Sequence, residues 1–236
     1  MAGPLGKKVA IPNSFSPEIL FPISRDDQRK DKVLIFDKGV DIWNLHEIFW
    51  LDQDSVSNHN ELSIHIPADS KFTVESKSLK LFVNSLIHKR FESQKEVTDT
   101  IKRHVENLIE TSIKIDDIYQ KKELSPKKII INSDFSHAPK VSDHSTITRF
   151  SGFRSLCPVT AQPDVADIYI NGAIDPEDTI NISKYLGTFF DKECFHELCV
   201  EYIFSDLIKA GYKINSVEGY FERRGGIAII PVRTTD

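Results

Sequence analysis

Cys157 has the setting of a reactive thiol. It lies within residues 154–164 (RSLCPVTAQPD), at the predicted end of a strand and ahead of a proline-broken loop. Such a position can leave the sulfur exposed. Thiolate is the reactive form of cysteine, and the nearby charge of Arg154 would favour it. Asp164 follows seven residues on, beyond a loop able to turn it back toward the sulfur. The competing account is a small buried apolar residue, the usual place of a free cysteine.

Other polar groups stand where a core does not require them. His196 and Glu197 open a predicted helix, where a glutamate suits the helix dipole. Read functionally, Glu197 could accept hydrogen bonds from an N–H-rich heterocycle, with His196 as a proton carrier. The run HELCV is not HExxH, because position 200 is valine, so the zinc-protease pattern is absent. Cys194, His196 and Cys199 do not share one helical face, so no metal is expected and both cysteines read as structural. Residues 75–80 (ESKSLK) precede another helix. Lys77 and Lys80 share a face there, and Ser76 and Ser78 add hydroxyls. With the helix amides this run could hold phosphate, or it could be a plain N-cap followed by surface lysines. Residues 223–226 (RRGG) read as a hairpin turn or as a second phosphate contact.

The elements that must position these groups recur in order. Strands are predicted at 41–51, 61–67 and 127–132, and helices at 78–89 and 94–113. The second half offers strands at 146–158 and 167–171, helices at 180–190 and 195–210, and a hairpin over 217–232. An offset of 103 (178 − 75) superposes the halves without a gap. Leu79 then meets Ile182, Leu86 meets Phe189, Val97 meets Val200 and Ile101 meets Phe204. This is an internal duplication of a β-β-α-α-β unit. It predicts an arm at 1–40 and modules at 41–140 and 141–236. At this offset Cys157 falls on Asp54 and Ile180 on Lys77, so the halves carry different polar residues. A site drawn from both halves is the expectation. The charge run at 25–32 within the arm reads as a solvated loop.

The chain has 236 residues with 40% hydrophobic and 28% charged, enough for a sizeable core. A net charge of -5 lacks the footprint of a dedicated nucleic-acid binder. Three cysteines make no disulfide framework, and a reducing cytoplasm is expected. Prolines 4, 12, 17 and 22 interrupt any signal-like apolar core, and no run is long enough to span a bilayer.

Taken together, ESKSLKLF at 75–82, CPVTAQPD at 157–164, FHE at 195–197 and RRGG at 223–226 resemble one family. It is the NADPH-dependent 7-cyano-7-deazaguanine reductases, nitrile reductases of queuosine biosynthesis, a tRNA modification. The segment 41–45 (DIWNL) resembles their longer, bimodular branch. The resemblance implies an α+β tunnelling fold (T-fold), with two tandem modules, antiparallel sheets and helices on one face. It implies reduction of the nitrile to an aminomethyl group through a thioimide on Cys157, with Asp164 as the proton source. It further implies substrate contacts from Val74, Glu75, Ser76, His196 and Glu197. NADPH contacts would come from Ser76, Lys77, Arg224 and Gly225. A homodimer, with no direct nucleic-acid or membrane partner, is also implied. Val165, Ala228 and Ile230 depart from the family pattern. A related amidinotransferase would use the same thioimide with an amine in place of hydride, although it needs no NADPH site. A non-catalytic purine-binding module of the same fold is the other alternative.

Overall fold

The computed structural model describes residues 3–30, 34–36, 38–132, 134–135 and 139–235. Asp31 and Lys32 of the charge run, and the last residue Asp236, lie outside the described residues. The chain divides into two compact units. One comprises Met1–Lys30, Ile42–Tyr119 and Arg223–Ala228, and the other Asp31–Asp41, Gln120–Glu222 and Ile229–Asp236.

In the first unit a short strand β1 (Pro22–Ser24) leads into helix α1 (Arg25–Arg29). Strands β2 (Lys38–Leu51), β3 (Ser57–Pro67) and β4 (Phe72–Val74) follow, then helices α2 (Ser76–Ser85) and α3 (Gln94–Ile109) and strand β5 (Lys114–Asp116). β3 lies between β5 and β2, and β1 pairs antiparallel with β4. α3 shows how the sequence builds its helix. Ser93 caps it by accepting from the Glu96 amide, and Glu96 accepts from the Glu92 amide. Val97, Ile101, Val105 and Ile109 recur every fourth residue and are wholly buried. The helix stops at Ile109 rather than 113. Glu110 takes a left-handed φ of 57°, and the Glu106 carboxylate accepts from the Ile113 amide as the chain departs. α2 also ends early, at Ser85, and tightens into a 3-10 turn at Leu86–His88. The charge run is not a solvated loop at its start. Arg25 is buried, with Nε donating to Ser70 Oγ and Nη2 to the Pro67 carbonyl.

The second unit contains β6 (Pro126–Lys128), β7 (Val141–Leu156), β8 (Pro163–Ile174), α4 (Thr179–Gly187), α5 (His196–Lys209), β9 (Ile214–Phe221) and β10 (Ile227–Thr234). Its strands run in the order β10-β9-β8-β7-β6. The expected sheet was antiparallel, but β6 joins β7 in parallel, so the sheet is mixed. β6 reaches β7 by a long connection, not by a hairpin, and so is free to enter in the same direction. The apolar run 129–132 does not extend β6, because the Ile130 amide donates instead to the Ser183 carbonyl. The core gathers Phe150, Phe153, Ile168, Ile182, Leu186, Phe189, Val200, Ile203, Phe204 and Phe221.

Each unit places two consecutive helices after its strands, α2 and α3 in the first and α4 and α5 in the second. The start of α2 plus 103 is residue 179, the first residue of α4. The matched pairs Leu79 and Ile182, Leu86 and Phe189, Val97 and Val200, and Ile101 and Phe204 are all buried. No helix is long and apolar enough to cross a membrane among the described residues.

Candidate functional site

Within the second unit, β7 delivers Cys157 and the start of α5 delivers His196 and Glu197. A backbone staple joins them. The Leu156 amide donates to the Lys192 carbonyl and the Cys194 amide to the Leu156 carbonyl, both at 2.9 Å. The loop after Cys157 is a closed turn. The Cys157 amide donates to the Gln162 carbonyl and the Ala161 amide to the Cys157 carbonyl, also at 2.9 Å. Ala161 holds a left-handed φ of 53°, which costs a non-glycine residue about 1 kcal/mol. The turn returns the chain so that Asp164 pairs across from Ser155.

Asp164 is only 4% exposed, and Glu197 in the first turn of α5 is 5% exposed. His196 Nε2 lies 3.3 Å from Asp164 Oδ2, and the His196 ring rests on Phe221 at 4.3 Å between centroids. The pairing of Asp164 with His196 and the Phe221 wall had no local signal in the sequence. Cys157 is half-buried, whereas Cys194 and Cys199 are buried. Burial pushes the Cys199 thiol well above its ordinary range, which suits a structural residue. Arg154 does not offer an unengaged charge to the sulfur. It is paired with Asp191 at 2.8 Å, bonded to the Phe190 carbonyl and stacked on the Phe190 ring. No group of three His, Cys, Asp or Glu suited to a metal occurs among the described residues.

In the first unit, Val74 ends β4 and Glu75 caps α2. Glu75 is 1% exposed; its Oε1 accepts from the Lys77 amide at 2.6 Å and its Oε2 from the Ser78 amide at 3.1 Å. Burial raises its pKa, while these amides and that of Leu5 oppose the rise. Ser76 and Lys77 occupy the first turn of α2. The RRGG run forms a tight hairpin turn in which the Arg224 amide donates to the Ile227 carbonyl at 2.9 Å. Gly225 and Gly226 have φ of 58° and 82°, the two consecutive positive values of a type I′ turn. A Cβ on Gly225 would come within 2.2 Å of Lys80 Nζ. The turn therefore lies against the Lys80 side chain of α2. Cations, hydroxyls and close-approaching backbone suit the phosphates of a dinucleotide.

A half-buried thiol in the same unit as an imidazole-paired buried carboxyl group and a second buried carboxyl group suits an enzyme that works through a cysteine. Comparison with known proteins narrows the class. The N-terminal domain of nitrile reductases, 7-cyano-7-deazaguanine reductase, matches residues 11–116, and the QueF-like protein family matches residues 163–236. The NADPH-dependent 7-cyano-7-deazaguanine reductase of Desulfotalea psychrophila is 34% identical over 98% of this chain and 92% of its own length. Those of Coxiella burnetii and Acinetobacter baylyi are each 32% identical over 98% of this chain, covering 91% and 93% of their own lengths. The chain belongs to the NADPH-dependent 7-cyano-7-deazaguanine reductase family, as its motifs led us to expect.

Proposed function

We propose that this protein reduces the nitrile of 7-cyano-7-deazaguanine to the aminomethyl group, consuming two NADPH, in queuosine biosynthesis. The observation that carries the reading is the accessible Cys157 at the mouth of a closed turn, with the buried Asp164 and His196 pair in the same unit. The Cys157 sulfur adds to the nitrile carbon, and the nitrile nitrogen takes a proton, giving a thioimide. This makes a poor hydride acceptor into a better one. NADPH supplies the hydrides, one per molecule. After the first, the carbon–sulfur bond breaks and the thiolate leaves an imine, which the second reduces. Asp164 gives protons to the nitrogen, and His196, 3.3 Å away, holds and replenishes its proton.

Glu197 and Glu75 are each assigned to accepting hydrogen bonds from the deazaguanine edge, and Val74, Ser76 and His196 to further substrate contacts. Ser76, Lys77, Arg224 and Gly225 contact NADPH, Lys77 and Arg224 at its phosphates. The sequence duplication at 41–140 and 141–236 corresponds to two tandem tunnelling-fold modules, and the enzyme acts as a cytoplasmic homodimer. The direct test is spectrophotometric. NADPH oxidation is expected only when the nitrile is present, with two NADPH consumed per amine formed. Nitrile-independent oxidation, or none, overturns the reading. Glu197→Gln removes an anionic acceptor, and KM for the nitrile is expected to rise about 10- to 100-fold with a smaller change in kcat. An unchanged KM would remove Glu197 from the recognition set.

A further inference from the structure

Asp164 has to regain a proton after each one it gives, yet it is only 4% exposed. His196 is its partner at 3.3 Å, and the His196 side chain is 20% exposed, so the imidazole links the buried carboxyl group to solvent. That link depends on the direction of the ring. Rotation about the Cβ–Cγ bond of histidine is a broad, roughly two-fold torsion without a sharp preference of its own. His196 is also the first residue of α5, with no preceding helical turn to restrict its side chain. The restraint comes from β9. The Phe221 ring lies 4.3 Å from the His196 ring between centroids, tilted by 44°. Among the described residues no other pair of rings is closer, and Phe49 with His59 follows at 4.6 Å.

Phe221 is itself fixed. It is 1% exposed and meets Phe153 edge-on, at 6.1 Å and 88°. Its ring leans back along β9 toward Gly219, since a Cβ built on Gly219 would come within 3.0 Å of Phe221 Cε2. The same Cβ would come within 2.7 Å of Val200 Cγ2 on α5. Gly219 thus leaves room both for the ring and for the close approach of α5 to β9. We propose that Phe221, seated in the space left by Gly219, is a positioning residue for proton transfer, holding the His196 imidazole so that Nε2 stays on Asp164. The inference rests on the assignment of Asp164 as the proton donor and His196 as the group that replenishes it. In that cycle Asp164 gives its proton to the nitrile-derived nitrogen. His196 Nε2 then returns one to Asp164 Oδ2, and the imidazole takes another from water. Phe221 has no proton or charge to contribute, so its effect passes through His196. An imidazole free to turn away leaves Asp164 without a proton source, and a displacement of about 1 Å at a reacting group can cost ~100-fold in rate.

Phe221→Leu in the full chain tests this, because it keeps an apolar side chain and removes the flat face. Its kcat for nitrile-dependent NADPH oxidation is expected to fall about tenfold, with a smaller change in KM for the nitrile. Gly219→Ala, which crowds the Phe221 ring, is expected to lower kcat the same way. A double-mutant cycle separates positioning from packing. In His196→Ala protein there is no imidazole to hold, and adding Phe221→Leu is expected to change kcat by less than about twofold. An equal fall in both backgrounds, or no fall on Phe221→Leu alone, overturns the proposal and leaves Phe221 as core. A second measurement needs no variant of Phe221. The carbon-bound ring protons of His196, assigned by their absence from His196→Ala protein, are expected to be moved upfield by the Phe221 ring current. Proton resonances at the positions of a free imidazole overturn the contact. Undiminished kcat in His196→Ala protein would sink the proton-replenishing role of His196, and the role of Phe221 with it, whereas additivity sinks Phe221 alone.

Discussion

Cys157→Ala is expected to lower nitrile-dependent NADPH oxidation by about three orders of magnitude or more, a loss of at least ~4 kcal/mol of transition-state stabilisation. The magnitude follows from the chemistry. Without the thiol no thioimide forms, and hydride must reach an unactivated nitrile. Binding should survive, because the backbone contacts that shape the loop are made by the amide and carbonyl of residue 157, not by its side chain. Mass spectrometry supplies the complementary measurement. Unmodified protein incubated with the nitrile alone is expected to gain the mass of one substrate on Cys157. Cys157→Ala protein should gain none. Adduct on Cys194 or Cys199 instead would overturn the assignment, and their burial argues against it.

Arg233→Met is expected to destabilise the protein by about 3–5 kcal/mol, lowering Tm by on the order of 10 °C. Arg233 is wholly buried in β10. Its Nη1 donates to Asp41 at 2.8 Å, and its Nε and Nη2 donate to Glu201 at 3.1 and 2.7 Å. Asp41 and Glu201 are buried as well. Removing the guanidinium leaves two carboxylates in the core with no cation between them, a far larger penalty than loss of a surface pair. Replacing all three with apolar residues of similar volume should recover most of the loss, since a buried ion group is retained against its own desolvation cost. Thermal or denaturant unfolding of the single and triple variants checks both halves of the argument. A single variant within about 0.5 kcal/mol of the unmodified protein would show that the pair is neutral.

The helices were legible because their signals are local or periodic. A stripe such as Val97, Ile101, Val105 and Ile109 fixes a helix and its buried face from spacing alone, and the offset of 103 carries that information from one half to the other. Helix ends were less legible. Nothing local says that Ser85 will accept from the Ser16 amide, or that Glu106 will turn back to Ile113. The contacts among the proposed site residues were not legible. Asp164 and His196 are 32 positions apart and meet only because Leu156 is stapled to residues 192 and 194. Arg154 stood close to Cys157 in the sequence, but Asp191 is a stronger attraction than a half-buried thiol, and their pairing is visible only in three dimensions. Arg233 was invisible for the same reason. Its partner Asp41 lies 192 residues away, and no pattern in β10 distinguishes a buried arginine from a solvated one.

The staple at Leu156 also has a bearing on how the enzyme fails. Its two bonds close the end of β7 onto the segment that launches α5, so Cys157 and Glu197 are expected to share one cooperative opening unit. Deuterium should enter the Leu156 and Cys194 amides at matching rates, since breaking either bond frees the same segment. Heat that loosens α5 would then disarm the thiol in the same event. Inactivation is thereby tied to a local opening of the second unit, at temperatures where most of the chain is still folded.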